Sequence, residues 1–400
     1  MVNLSPQLRF PEFSGSWKSK KLEEVGSIIN GLTYSPDDIH DDGVLVLRSS
    51  NIKENQLSFN DNVYVNTDNY NAVKEDDILI CVRNGSRNLI GKNALITKEA
   101  EGVAFGAFMS VYRSELNKFV FQLFATDTYY KIIQENLGAT INSINNSDLK
   151  KFEFFFPLKE EQDKIADFLR DIDNKINQLS KKKELLEQYK KGIMQKIFNQ
   201  EIRFKDDNGN DYPKWSIEIL GKISDVRDGT HESPKYVNIG YPLITSKNLN
   251  KNGKLDFKNV EYITQVDFDN INKRSKVDIG DIIFGMIGTI GNPVLLKRDD
   301  FAIKNVALIK ENGLLQNEYL IHYLNSHIIE KQFKKENVGG TQKFISLGVI
   351  RNLEIILPST FEQIKIANFL ASIDDKINHT TIQLDGAKDF KKGLLQQMFI

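Results

Sequence analysis

Residues 157–199 and 358–400 are two copies of one segment, aligned without a gap at a constant offset of 201. The most alike stretches read "EEQDKIADFLRDIDNKIN" (160–177) and "FEQIKIANFLASIDDKIN" (361–378). Pro157/Pro358, Glu161/Glu362, Gln162/Gln363, Lys164/Lys365, Ala166/Ala367, Phe168/Phe369, Asp173/Asp374 and Gly192/Gly393 are identities. Within the first copy, Ile165, Leu169, Ile172, Ile176, Leu179, Leu186, Ile193 and Ile197 recur at steps of three and four, or of seven. In the second copy the seam is Ile366, Leu370, Ile373, Ile377, Leu384, Leu394 and Met398, with Thr380, Ala387 and Lys391 at weaker positions. Such a seam predicts a long helix packed on a coiled-coil partner. Each proline suits a chain turning from a strand into the first helical turn. Glycine inside a helix costs about 1 kcal/mol relative to alanine, so its recurrence at Gly192 and Gly393 predicts a close backbone approach or a kink.

The regions ahead of each helix echo one another more faintly. "LRF" (8–10) and "IRF" (202–204) precede Trp17 and Trp215. Ser35-Pro36 answers Ser233-Pro234, Leu57 answers Leu255, Tyr64 answers Tyr262, and "DDILI" (76–80) answers "GDIIF" (280–284). Offsets that drift around 201 mean loop insertions and deletions on a common scaffold. Short β-like runs such as "VLVLRS", "DILICV" and "FEFFF" lie between Asn, Asp and Gly clusters, and "YPLITS", "DIIFGMI" and "LEIIL" repeat them. "KFVFQLFATDTYYKIIQEN" and "NEYLIHYLNSHIIEKQF" are helical in pattern. The expected fold class is α+β. Two mixed α/β domains with a twisted or barrel-like sheet (1–156 and 201–357) each precede a spacer helix (157–200 and 358–400), in a pseudo-twofold internal repeat.

Composition narrows the classes. No apolar run approaches the ~20 residues of a membrane helix, and the first residues lack a secretory pattern. A single cysteine, Cys81, excludes an internal disulfide framework and fits a reducing cytoplasm, with a buried, inert thiol the expectation. The formal net charge is −1, so any nucleic-acid face must be a local patch balanced by acidic residues elsewhere.

No reaction centre emerges. There is no glycine-rich loop followed by Lys-Ser/Thr for a nucleoside triphosphate. "GMIGTIG" (285–291) fits a turn between strands better than a cofactor loop. The five histidines make no metal-ligand spacing, and no Pro-Pro dipeptide exists for the base-gripping motif of a DNA amino-methyltransferase. Polar loops carry the stronger signal. "LRSSNI" (47–52) offers Arg48, Ser49 and Asn51, and its counterpart "ITSKNL" (244–249) offers Thr245, Ser246, Lys247 and Asn248. "CVRNGSRNLIGK" (81–92) presents Arg83, Asn84, Arg87, Asn88 and Lys92. "GATINSINNSD" (138–148) supplies Thr140 and Asn142, its partner "GGTQKFISLG" (339–348) supplies Thr341, Gln342 and Lys343, and Thr230 and His231 complete the set. Arginine reads guanine, and Asn or Gln reads adenine, by bidentate contacts in the major groove, while hydroxyls, lysines and backbone amides hold phosphates. Each residue alone is equally an ordinary polar surface residue; recurrence in both domains favours the group as a DNA-binding set.

The doubled Pro-x3-Glu-Gln-x-Lys-Ile-Ala-x-Phe-Leu-x2-Ile-Asp-x-Lys-Ile, with the "DILI"/"DIIF" strands and "GAT"/"GGT" turns, resembles the specificity (S) subunit of Type I restriction–modification enzymes end to end. The resemblance implies that each globular domain reads one half of a split double-stranded DNA site. It also implies that the two helices pack antiparallel, set the spacing and dock two methylation (M) subunits, with restriction (R) subunits joining later. S-adenosylmethionine, ATP and Mg are then expected only on those partners, with no cofactor on this chain and no catalysis by it. The replacement of "SKKKELLEQYKKG" by "TIQLDGAKDFKKG" in the second copy weakens its seam. Two other classes compete. A fused methyltransferase or nuclease would need a further catalytic domain, and methyl transfer by the pure chain would reveal it. A protein-binding scaffold would show DNA binding that is absent or blind to sequence.

Overall fold

A computed structural model of the 400-residue chain describes residues 5–137, 142–335 and 344–400. The chain divides into two compact units, residues 1–180 with 382–400 and residues 181–381. The repeated segments are the continuous helices α1 (Lys159–Phe198) and α2 (Thr360–Met398), and each unit takes part of both.

In the first unit, Ser27–Asn30, Met109–Arg113, Ile78–Cys81 and Asn93–Leu95 form an antiparallel sheet in that order. A second sheet has the order Ala104–Phe105, Val44–Leu47, Tyr64–Val65, Ile39–His40, with its first pair parallel. Lys18–Lys21 pairs with Glu153–Phe156, the strand that leads into α1. The second unit repeats all three: Val226–Asp228, Val306–Ile309, Ile282–Gly285 and Gly291–Leu295; then Tyr236–Val237, Glu261–Ile263, Tyr241–Ile244 and Ala302–Ile303; then Ser216–Ile219 with Glu354–Leu357. Among the described residues both units therefore hold two small sheets and a ladder where the sequence predicts one sheet, and the first unit adds a short hairpin, Ile52–Lys53 with Gln56–Leu57. The strands are two to five residues long, and 3-10 turns at Ser49–Asn51 and Ser246–Asn248 end one strand of the second sheet in each unit. Each long helical stretch ahead of the spacer helices is also broken. Asn117–Leu123 and Asp127–Glu135 are separated at Thr126, whose Oγ1 caps the second helix by accepting from the Tyr129 amide at 3.3 Å. Asn317–Leu324 and His327–Lys335 repeat the break. The helix Gln265–Ser275, capped by Thr264, was not legible as one.

The identities of the repeat now have physical roles. In the first unit the buried Glu161 accepts a two-pronged bond from Arg9 (2.7 and 2.7 Å), Phe10 packs edge-on against Phe168 with centroids 5.7 Å apart, and Lys164 pairs with Glu12. In the second, Glu362 accepts from Arg203 (3.2 and 2.7 Å), Phe204 packs on Phe369 at 5.6 Å, and Lys365 pairs with Asp207. The "LRF" and "IRF" echoes are thus clamps that fix the incoming chain to its helix. Gln162 and Gln363 each donate back to the carbonyl of the preceding proline, at 2.8 and 2.9 Å, tying the strand-to-helix turn to the first turn of the helix.

Both helices contribute to each core. In the first unit Ile165, Ala166 and Leu169 of α1 join Leu394, Leu395 and Met398 of α2 beneath Trp17, Phe119 and Phe156. In the second, Ile366, Ala367, Leu370 and Ile373 of α2 join Met194, Ile197 and Phe198 of α1. Within each unit the segments run antiparallel, since the start of one helix meets the end of the other. Lys391 Nζ holds both oxygens of Asp173 (2.6 and 2.7 Å) in the first unit, and Lys190 Nζ holds Asp374 (2.5 Å) in the second. The glycine expectation fails as to close approach: a Cβ added at Gly192 or Gly393 would sit in open space.

Candidate nucleic-acid interface

The first unit gathers three loops that are distant in sequence. The 3-10 turn Ser49–Asn51 follows the strand Val44–Leu47. Its Ser49 Oγ accepts from Asn84 Nδ2 at 3.0 Å, and its Ser49 carbonyl accepts from Lys92 Nζ at 3.4 Å. Asn142 closes the cluster, its Nδ2 donating to the Gly85 carbonyl (3.0 Å) while its own carbonyl accepts from the Asn84 amide (3.2 Å). Arg83 stands opposite Ser143 in an antiparallel bridge and lays its guanidinium 5.6 Å from the ring centre of Phe108, which is 57% exposed. Arg87 is exposed on the 3-10 turn Arg87–Leu89 and donates to Gln134 Oε1 at 3.1 Å, and Asn88 is exposed beside it. Arg48 is half-buried and pairs with Asp61 at 3.0 Å.

The second unit gathers a cluster around the matching turn Ser246–Asn248, drawn in part from other loops. Thr230 bridges Lys304, and the Thr230 carbonyl accepts from the Asn305 amide at 3.2 Å. Asn305 occupies the left-handed region at φ 56° and joins three sequence-predicted residues to one another. Its carbonyl accepts from Ser246 Oγ at 3.1 Å, and its Oδ1 lies 2.8 Å from His231 Nδ1. His231 Nε2 lies 2.8 Å from Asp228, which also pairs with Arg274. With acceptors at both ring nitrogens, first Asn305 and then Asp228, the imidazole pKa is raised above its usual value. Lys247 is exposed at the tip of the turn and Thr245 is half-buried.

Three of the predicted DNA-binding residues lie inside the fold and serve another purpose. Asn51 is buried, its Oδ1 accepting from the Arg48 amide (2.9 Å) and its Nδ2 donating to the carbonyls of Ser58 and Asp61 (3.0 and 3.3 Å). Asn248 repeats this, accepting from the Thr245 amide (3.0 Å) and donating to Asp256 and Asn259 carbonyls. Ser246 is buried, its Oγ accepting from the Met286 amide at 3.2 Å. These side chains are spent on shaping the turn, because a buried amide or hydroxyl must find its partners within the protein. Thr140, Thr341, Gln342 and Lys343 lie outside the described residues. Phe108, Ile287, Asn305 and Phe344 were missed as site residues. Ile287 and Phe344 sit within "GMIGTIG" and "GGTQKFISLG", but an apolar residue in a polar loop gives no signal until its exposure is known.

"GMIGTIG" is a turn between the strands Ile282–Gly285 and Gly291–Leu295. A Cβ at Gly285 would come 2.3 Å from the Thr289 carbonyl oxygen, so the tight return requires glycine there. Cys81 is buried and unpaired, and burial pushes its thiol up to about 11. Among the described residues no group of three or more His, Cys, Asp or Glu side chains could hold a metal, and no helix is long and apolar enough to cross a membrane.

The geometry is that of one α/β module built twice. The fold is similar to that of the S subunit of the M. genitalium Type I restriction-modification system, whose crystal structure matches at a TM-score of 0.66 over 99% of each chain with 16% identity. The family model described as the Type I restriction modification DNA specificity domain matches twice, over residues 15–188 and 214–384. The MjaIX specificity subunit of Methanocaldococcus jannaschii is 24% identical over 96% of this chain and 92% of its own length. The EcoKI specificity subunit of Escherichia coli K12 is 24% identical over 95% and 90%. The chain belongs to the Type I restriction modification DNA specificity domain family, and carries two such domains.

Proposed function

We propose that the chain is the DNA-reading, non-catalytic subunit of a cytoplasmic Type I restriction–modification complex. Each globular region (1–156 and 201–357) reads one half of a bipartite double-stranded site. The spacer helices (157–200 and 358–400) set the gap and dock two methylation subunits, to which restriction subunits are added, and S-adenosylmethionine, ATP and Mg belong to those partners. The observation that carries this reading is the recurrence of one turn, held by buried Asn51 or Asn248 beside the bridges Arg83–Ser143 and Ile287–Phe344, in two units that belong to a DNA-specificity family. Arg83, Arg87, Asn88 and Lys92 in the first unit, and Thr230, His231, Thr245 and Lys247 in the second, are the proposed contacts, with Asn84, Ser49, Arg48 and Asn142 positioning the first set. Phosphate contacts supply most of the affinity of such complexes and its salt dependence; with a net charge of −1, the chain relies on its partners for much of them.

The test is genome-wide mapping of adenine methylation in cells that express the chain with its cognate methylation subunit. Replacing residues 1–156 by the matching region of a relative should change one half of the methylated motif and preserve the other. Inserting four residues after Leu179 and four after Thr380 lengthens each helix by about 6 Å. It should widen the gap by one or two base pairs at about 3.4 Å each. An unchanged gap in a fully active complex would refute the spacing role, and a change in both halves after the swap would refute independent reading.

A further inference from the structure

The two loop clusters occupy the same place in their units but differ in chemistry. In the first, the chain leaving the strand Ile78–Cys81 makes a bridge through Arg83 and Ser143, next to a hydrogen bond from the Ile144 amide to the Val82 carbonyl at 2.9 Å. In the second, the chain leaving Ile282–Gly285 makes the matching bridge through Ile287 and Phe344, next to a bond from the Ile345 amide to the Met286 carbonyl at 2.9 Å. Residues facing each other across an antiparallel bridge carry their side chains on the same side, with Cβ atoms about 5 Å apart. Ile287 and Phe344 are therefore neighbours, and they are 39% and 48% exposed. The Ile287 amide points back at Ser246 Oγ (3.4 Å), which fixes the pair against the turn that carries Thr245 and Lys247. Where the first unit offers a guanidinium on an aromatic ring, the second offers an aliphatic and an aromatic side chain with no charge of their own.

We propose that Ile287 and Phe344 are specificity-determining residues that read the second half-site through the C5-methyl groups of thymine. The proposal rests on the reading of the second unit as a DNA reader. Continuity with the loop cluster assigns the pair to DNA, and the chemistry selects the ligand group. Among the major-groove edges of the four bases only thymine presents a methyl group, and apolar side chains recognise it by contact. The first unit, with Arg83 at the matching position, suits the N7 and O6 acceptors of guanine.

The experiment uses the full chain assembled with its methylation subunits, on duplexes carrying the motif defined by methylation mapping. Thymines of the second half-site are replaced by deoxyuridine, which removes the methyl and keeps every hydrogen-bonding group. Each contacted methyl should weaken binding about fourfold, the equivalent of about 0.8 kcal/mol for one buried carbon. The Ile287→Ala, Phe344→Ala double variant should lose that sensitivity. Its discrimination at the first half-site should be unchanged, and unchanged hydrogen exchange in the core of the second unit shows that the variant is folded. A second half-site with no thymine on either strand, a wild-type complex indifferent to deoxyuridine, or a double variant that keeps the full sensitivity would each overturn the proposal. Indifference to deoxyuridine, combined with a large loss of binding in the double variant, would assign the pair to a wedge between base steps instead. A complex that methylates without sequence preference would fail at an earlier step and refute the underlying reading as well.

Discussion

His322 accounts for a share of the acid sensitivity of the second unit that a single substitution, suggested by the protein itself, should remove. The side chain is buried in the second unit, with its Nδ1 3.8 Å from Asp374 Oδ2. Burial, followed by the charge of Lys190, lowers its pKa from 6.5 to about 3, so it is neutral at pH 7 and the contact with Asp374 is not an ion pair. Lys190 takes that role at 2.5 Å. In the unfolded chain the imidazole titrates near 6.5. Between pH 6.5 and pH 3 the unfolded state therefore binds a proton that the folded state refuses, and stability falls as the pH falls. At pH 5 the unfolded histidine is almost fully protonated and the folded one is not, which costs about 2 kcal/mol relative to pH 7. The first unit places Gln122 at the matching position, where Nε2 donates to Asp173 Oδ2 at 2.9 Å. His322→Gln should accordingly keep a donor near Asp374 and lose the titration. Urea unfolding of the full chain at pH 7 and pH 5, followed by hydrogen exchange resolved to the second unit, compares the two proteins. Other carboxylates and histidines contribute equally to both and cancel. Wild type should lose about 2 kcal/mol more than the variant on acidification, a difference of the order of 1 M in urea midpoint. Equal losses would refute the neutral, buried state of His322.

The clamp carboxylates should differ in worth. Glu362 accepts from Trp215 Nε1 (2.7 Å) as well as from Arg203, whereas Trp17 Nε1 in the first unit is buried without a partner. Glu161→Ala should destabilise by about 3 kcal/mol, by leaving Arg9 without its buried partner, and Glu362→Ala by about 1 kcal/mol more; denaturation of the two variants checks the order. A double-mutant cycle on Asp173 and Lys391 should give a coupling of about 1 kcal/mol, larger than that of Asp374 and Lys190, because Lys391 is more buried and holds both carboxylate oxygens. Arg83→Ala should lower discrimination at one base pair of the first half-site by about 1–3 kcal/mol, read as relaxed methylation at that position; a uniform loss across sequences would instead assign Arg83 to a phosphate.

The parts of the fold that were legible in the sequence are those in which both copies solve the same packing problem. Glu161 and Glu362 must meet Arg9 and Arg203, and Phe168 and Phe369 must meet Phe10 and Phe204, so the residues persist at a fixed offset and reveal the helices. The antiparallel arrangement was implied by the family resemblance alone, and the clamps showed only as the unexplained "LRF" and "IRF" echoes. Gly192 and Gly393 persist too, yet nothing in either unit packs on them, so recurrence alone did not disclose its cause. The candidate interface was half legible for a related reason. Asn51 and Asn248 were found because they recur, and they recur because both turns need a buried amide to tie the Arg48 or Thr245 amide to carbonyls about ten residues on. A residue conserved between two domains that read different half-sites is more easily explained as scaffold than as reader. The readers should be found where the copies disagree on a shared frame, as Arg83 and Ile287 do at the same bridge. Asn305 was invisible for the opposite reason: its contacts to Thr230, His231 and Ser246 span 59 residues or more of chain, and no local pattern of the sequence encodes them.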